Sequence, residues 1–136
     1  MPKSQNYNPQ VELLKGSTLT TASYDKTQKV EVSAGKVTVG GKPGVVQISG
    51  LATGRHDASI NGCLGLWLSI FRYMRPDGSI NHVAGWNIML PLKARQTPVQ
   101  SAVAFAACIN TGTRPYRAAV TGNNTAATVA IVFAVK

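Results

Sequence analysis

Few residues in this chain have types suited to chemistry, and they are scattered. His56 and Asp57 stand side by side with Ser59 close behind, the ingredients of a hydrolytic site. A catalytic triad needs a base held by an orienting group and aimed at a nucleophile. Adjacent residues on a strand point to opposite faces, and no G-x-S-x-G turn occurs anywhere in the chain. The trio therefore reads as polar loop. His82, Cys63 and Cys108 are possible metal ligands by type, but none has a partner at C-x2-C or H-x3-H spacing. Five carboxylates in the whole chain are few for an oxygen-ligand site. Gly35-Lys36 and Gly40-Gly41-Lys42 have the composition of a phosphate loop. That loop must open a helix after G-x4-G-K-[ST], whereas here Pro43 follows Lys42 between strand-like flanks. No enzyme, metal or cofactor is expected from these patterns.

The cations are more informative. Arg72-Tyr73-Met74-Arg75 and Arg114-Pro115-Tyr116-Arg117 each interleave an aromatic ring with guanidinium groups. Arginine pairs with phosphate and tyrosine stacks on bases, so this is chemistry suited to nucleic acid. The net charge is +9, from fourteen Lys and Arg against five Asp and Glu. Only 14% of residues are charged, against about 25% in ordinary soluble domains, so the basicity reflects missing acids. Residues 1–77 hold nine bases and all five acids, a net +4; residues 78–136 hold five bases and no acid, a net +5. An acid-free stretch cannot pair with itself, so its cations face water, upstream acids or a polyanion. The candidate nucleic-acid contacts are Arg72, Tyr73, Arg75, Lys93, Arg95, Arg114, Tyr116 and Arg117. The competing reading is that they sit singly on a solvated surface.

The elements that must position these groups are mainly strands. Pro2–Gln10 is polar and aperiodic, Val11–Lys15 fits one turn of helix or a short strand, and residues 1–16 together read as an extended N-terminal arm; residues 17–136 read as one β-rich domain. The arm lacks the apolar core of a secretory signal. The apolar run Thr125–Val135 is about half of what a membrane helix requires, so no membrane contact is expected. Cys63 and Cys108 read as reduced, buried thiols. Asn123-Asn124-Thr125 has the form of a glycosylation site and reads better as turn chemistry. Lys29–Ser33 and Lys36–Val39 alternate polar and apolar residues around Ala34-Gly35, which predicts a hairpin. Val45–Ser49 is a third strand. Leu64–Met74 and Ile80–Leu92 flank the turn Arg75-Pro76-Asp77-Gly78-Ser79 and predict a long hairpin, with Gly85 as a bulge. Tyr116–Thr121 and Thr128–Val135 are the last strands.

Thr97–Asn110 fits two periods. As a strand it lines up Val99, Ser101, Val103, Phe105, Ala107 and Ile109. As a helix it has Thr97 as N-cap, Pro98 at the first position and a buried stripe of Val99, Ala102, Val103 and Ala106. The strand reading gives an antiparallel β-sandwich or jelly roll. The alternative is an α+β fold with a helix near residues 98–110.

Small side chains, few surface charges and a strand apolar on both faces are what a chain needs if copies of itself cover much of its surface. The profile resembles small virion structural proteins: coat proteins of single-stranded RNA phages, or small sandwich-type capsid and decoration subunits. The likeness covers roughly Lys29–Asn110 and is one of length, basic balance and a long strand, Trp86–Arg95, running into Thr97–Asn110. The chain departs from the phage coats at Thr128–Val135, a strand where they end in a helix. It departs from plant-virus-like capsids in having only Lys3 as a base in its first fourteen residues. The resemblance implies a coat or capsid subunit that assembles with copies of itself inside a host cell. Such a subunit would occupy the virion and meet genomic RNA or DNA through its basic face. The other readings are a non-assembling module that binds RNA or single-stranded DNA, and a lectin-like attachment sandwich using Trp67, Trp86 or Tyr116 on a sugar ring.

Overall fold

The computed structural model describes residues 16–38, 41–55, 62–70, 73–74, 80–81, 84–112 and 114–134. In chain order the elements are β1 (Ser17–Ser23), β2 (Lys29–Ala34), β3 (Lys36–Val37), β4 (Gly44–Ser49), β5 (Cys63–Ile70), β6 (Tyr73–Met74), β7 (Ile80–Asn81), β8 (Ala84–Pro91), α1 (Pro98–Asn110), β9 (Tyr116–Gly122) and β10 (Ala126–Phe133). Two four-stranded antiparallel sheets run in the orders β3-β1-β5-β8 and β2-β4-β10-β9, and β6-β7 forms a small ribbon. The fold is mainly β, as the alternating patterns predict.

Period-two patterning sets the core. Leu64, Leu66 and Leu68 of β5 face inward, as do Val46 and Ile48 of β4 and Ala127, Val129 and Ile131 of β10, all nearly or fully buried. They form one cluster with Phe105 and Ile109 of α1. Full burial of such a side chain contributes roughly 1.5–3 kcal/mol.

Three local expectations need correction. The first concerns β2 and β3, which do not pair as a hairpin: β2 pairs with β4 and β3 with β1. The single residue Gly35 between them is too short for a two-residue reversal. It lets the chain cross from one sheet to the other, and its carbonyl accepts the Leu19 N–H at 2.9 Å. The second concerns Gly85, which is no bulge, because the β5–β8 register is unbroken from Cys63↔Pro91 to Ile70↔Ala84. A Cβ on Gly85 would collide with the backbone of Leu68 and Ser69, so close approach explains this glycine. The long hairpin itself is present and continues into β6–β7.

The third is the stretch after Thr97, which is a helix rather than a strand. Thr97 Oγ1 accepts the Gln100 N–H at 3.3 Å, and Gln100 Oε1 accepts the Thr97 N–H at 3.0 Å. This capping box, with Pro98 in the first turn, contributes about 1 kcal/mol and favours the helical period. The buried face is Pro98, Ser101, Ala102, Phe105, Ala106 and Ile109. Val103, expected in the stripe, is 55% exposed. The helix connects β8 to β9 and packs on both, with β10 and β4. At 13 residues it is too short to cross a membrane, and no helix among the described residues is long and apolar enough to do so.

Candidate nucleic-acid interface

One end of the sandwich is organised by a buried carboxylate. Asp25, in the β1–β2 turn, is 6% exposed. Its oxygens accept backbone N–H groups of Thr27 (3.0 Å), Gln28 (3.2 Å), Thr53 (3.0 and 3.1 Å) and Gly54 (2.8 Å), and the Thr53 hydroxyl (3.2 Å). Burial alone would raise its pKa; the backbone donors, Thr53 foremost, outweigh that and hold it at about 2. A carboxylate so fully occupied is a structural acceptor, not a base or a ligand. Gly62 has no side chain because a Cβ there would press on Asp25 Oδ2.

This anchored turn also places Gln28, which is fully buried. Gln28 Nε2 donates to the carbonyls of Gly50 at 3.0 Å and Gln96 at 2.9 Å. The Ser101 hydroxyl donates to Gln28 Oε1 at 2.5 Å, and Gln96 Nε2 donates to Ser101 Oγ at 2.9 Å. The turn Lys93–Gln96 is thereby fixed from several directions. The Ala52 N–H donates to Gln96 O (3.0 Å), Arg95 N–H to Ala52 O (2.8 Å), and Gln96 N–H to Lys93 O (3.1 Å). Buried polar groups satisfied this fully rigidify what they hold. The side chains of Lys93 and Arg95 are exposed. With Ala94, Gln96, Gln100 and Ala104 they line an open cleft against the first half of α1. Arg95 has φ 69°, the sole positive φ outside glycine among the described residues.

The other candidates lie elsewhere. Arg72 and Arg75 fall outside the described residues, as do His56, Asp57, Ser59 and His82; Tyr73 sits in β6. Arg114 is half-buried, and its guanidinium donates to the carbonyls of Cys108 (2.7 Å) and Thr111 (3.4 Å), so it caps the end of α1. Tyr116 is fully buried and cannot stack on an external base. Its ring meets Trp86 edge-on at 5.5 Å and stacks on Phe133 at 5.0 Å, and its hydroxyl bonds Ser17 Oγ at 2.5 Å. Tyr116 therefore serves the core and not a sugar site, while Trp86 is half-buried and packs against that core. Arg117, one residue on, points to the opposite face of β9 and is exposed. The fold thus brings Lys93 and Arg95 together and separates them from the 114–117 group.

The interior strands of both sheets present outward rows of uncharged residues. The register aligns Thr20, Trp67 and Asn87 in one row, and Ala22, Gly65 and Met89 in the next. On the other sheet Ala119, Ala130 and Val45 form one row, and Thr121, Thr128, Gln47 and the exposed edge residue Glu31 another. The interior strands β1, β4, β5 and β10 carry no charged residue at all. The exposed bases Lys26, Lys42, Arg55, Lys93 and Arg95 occupy loops, and Lys29, Lys36 and Arg117 occupy edge strands. Among the described residues Glu31 is the one exposed acid.

The free edges differ. Along β9 the Asn110 side chain accepts the Ala118 N–H at 2.8 Å and donates to the Ala118 carbonyl at 3.0 Å. It takes the place of a neighbouring strand there. Among the described residues β8 is last in its sheet, and Ala84–Pro91 contains no charge. An uncharged edge of this length is a template for further pairing. Cys63 and Cys108 are free thiols, half-buried. The described residues bring no three His, Cys, Asp or Glu side chains together. Comparison with protein families, with characterised proteins and with solved structures gives no match to this chain.

Proposed function

We propose that this protein is a virion structural subunit, a coat or capsid protein that assembles with copies of itself and meets genomic RNA or DNA through loop-borne cations. The observation that carries the reading is the segregation of charge. In a chain of net +9, the four interior strands have none, while the exposed bases stand on loops and edges. Uncharged, half-apolar faces suit contact with another protein surface. Unbalanced cations suit a polyanion, whose binding releases counterions and needs no sequence readout. A shell enclosing nucleic acid is an assembly in which one small chain needs both. The β8 edge, last in its sheet among the described residues, would supply a further contact.

Met89, 48% exposed and beside that edge, gives the test. The wild type is expected to form large assemblies, and Met89→Lys is expected to shift the protein toward monomer in light scattering. A monomeric wild type that binds nucleic acid in a salt-dependent manner would instead support the non-assembling module. A carbohydrate-binding reading has one observation in its favour. Half-buried Trp67 stands in an open groove with Thr20, Tyr24, Asn87 and Met89, and a glycan array tests it.

A further inference from the structure

The geometry points to the cleft between the Lys93–Gln96 turn and α1 as a phosphate-binding subsite, taking two adjacent phosphate groups of a single-stranded nucleic acid. This inference rests on the polyanion reading above and narrows it to one place. The cleft is lined by Lys93, Arg95, Gln96 and Gln100. Two of these bring positive charge and a third, Gln100, brings an exposed amide. No carboxylate lies in the lining, and the first turn of α1 contains none.

The backbone that carries these two cations is preorganised. The backbone of the turn is held by Ala52, by the buried Gln28 side chain and by the Gln96–Ser101 contact. Gly54 packs so close to Ala94 that a Cβ would strike its backbone nitrogen. A rigid backbone lowers the ordering cost of binding. Position 95 carries an arginine at φ 69°, a conformation that glycine adopts without strain. The side chain is thus present at a position where the backbone alone disfavours it, which is the pattern of strain tolerated for binding.

The test uses the full-length chain and two probes, radiolabelled pyrophosphate in equilibrium dialysis and a ten-nucleotide oligouridine in fluorescence anisotropy. Lys93→Ala with Arg95→Gly removes the cleft's charge while glycine accepts the turn, so the thermal midpoint should not fall. Lys42→Ala with Arg117→Ala removes equal charge elsewhere. Saturable pyrophosphate binding by the wild type and the Lys42/Arg117 variant, lost in the Lys93/Arg95 variant, is expected. For the oligouridine, affinity should fall by about tenfold or more, with the salt slope reduced by about 1.4 for two phosphate contacts. Absence of saturable pyrophosphate binding, or equal losses in both double variants, overturns the subsite. Oligouridine binding that survives in the Lys93/Arg95 variant also overturns it while leaving the polyanion reading standing. Pyrophosphate bound in the cleft without any oligouridine binding keeps the subsite and rejects the nucleic-acid reading.

Discussion

The turn at 93–96 and the junction at 114–117 look alike in sequence, with two cations each and polar or aromatic company, yet they use their charge in opposite ways. At the junction, Arg114 is committed to helix carbonyls and half-buried, Tyr116 belongs to the core, and Arg117 is exposed. At the turn, buried neutral groups do the holding and both cations remain exposed. Whether a basic residue can meet a ligand therefore depends on what else in the fold needs its hydrogen bonds.

Substitutions that break this contrast should rank by how deeply they cut. Tyr116→Ala removes a fully buried ring that joins Trp86, Phe133 and Ser17. It should cost about 3–5 kcal/mol in urea unfolding, as expected of a core residue. A near-neutral result would return Tyr116 to the surface.

Asp25→Asn comes next. The folded pKa is about 2 against an ordinary 3.8, so the folded state favours the ionised form. The difference corresponds to about 2 kcal/mol at neutral pH. That contribution is complete above about pH 5 and is lost as the pH falls through 3.8 toward 2. Wild type and variant should therefore converge in stability at low pH. A constant gap between them would contradict the backbone-donor account of Asp25.

Arg114→Ala should cost about 1 kcal/mol through loss of its bonds to the end of α1, and should barely change polyanion affinity. Lys93→Ala is the mirror case. Its stability should change by no more than about 0.5 kcal/mol, measured by thermal unfolding beside an oligouridine titration in which affinity falls. If the two substitutions traded outcomes, the assignment of roles to turn and junction would be reversed.

Much of the fold was legible because its apolar residues keep one period. β4, β5, β8, β9 and β10 are short, strand-length apolar stretches bounded by turn residues, with β5 apolar on both faces. β1 was not legible, since in STLTTAS only Leu19 is strongly apolar and the inward hydroxyls instead form bonds such as Thr21 Oγ1 to Val30 O at 3.2 Å. Residues 97–110 stayed ambiguous because their apolar residues satisfy both periods; the decisive signal was local, Thr97 and Gln100 around Pro98. Tyr116 was misread from its arginine neighbours, although it shares an inward face with Ala118 and Val120. The cations of the cleft were visible as charges, but their support was not. Asp25 meets Thr53 across 28 positions, and Gln28 meets Gln96 and Ser101 across 68 and 73. No local pattern encodes contacts at such separations.

Self-assembly is the central claim, and the size of the purified full-length protein across concentration and salt tests it most directly. Sedimentation velocity with electron microscopy of the same samples should find large particles of uniform size, with Met89→Lys shifted to slower species. A wild type that sediments as a single monomer under every condition, with no particles on the grid, would contradict it.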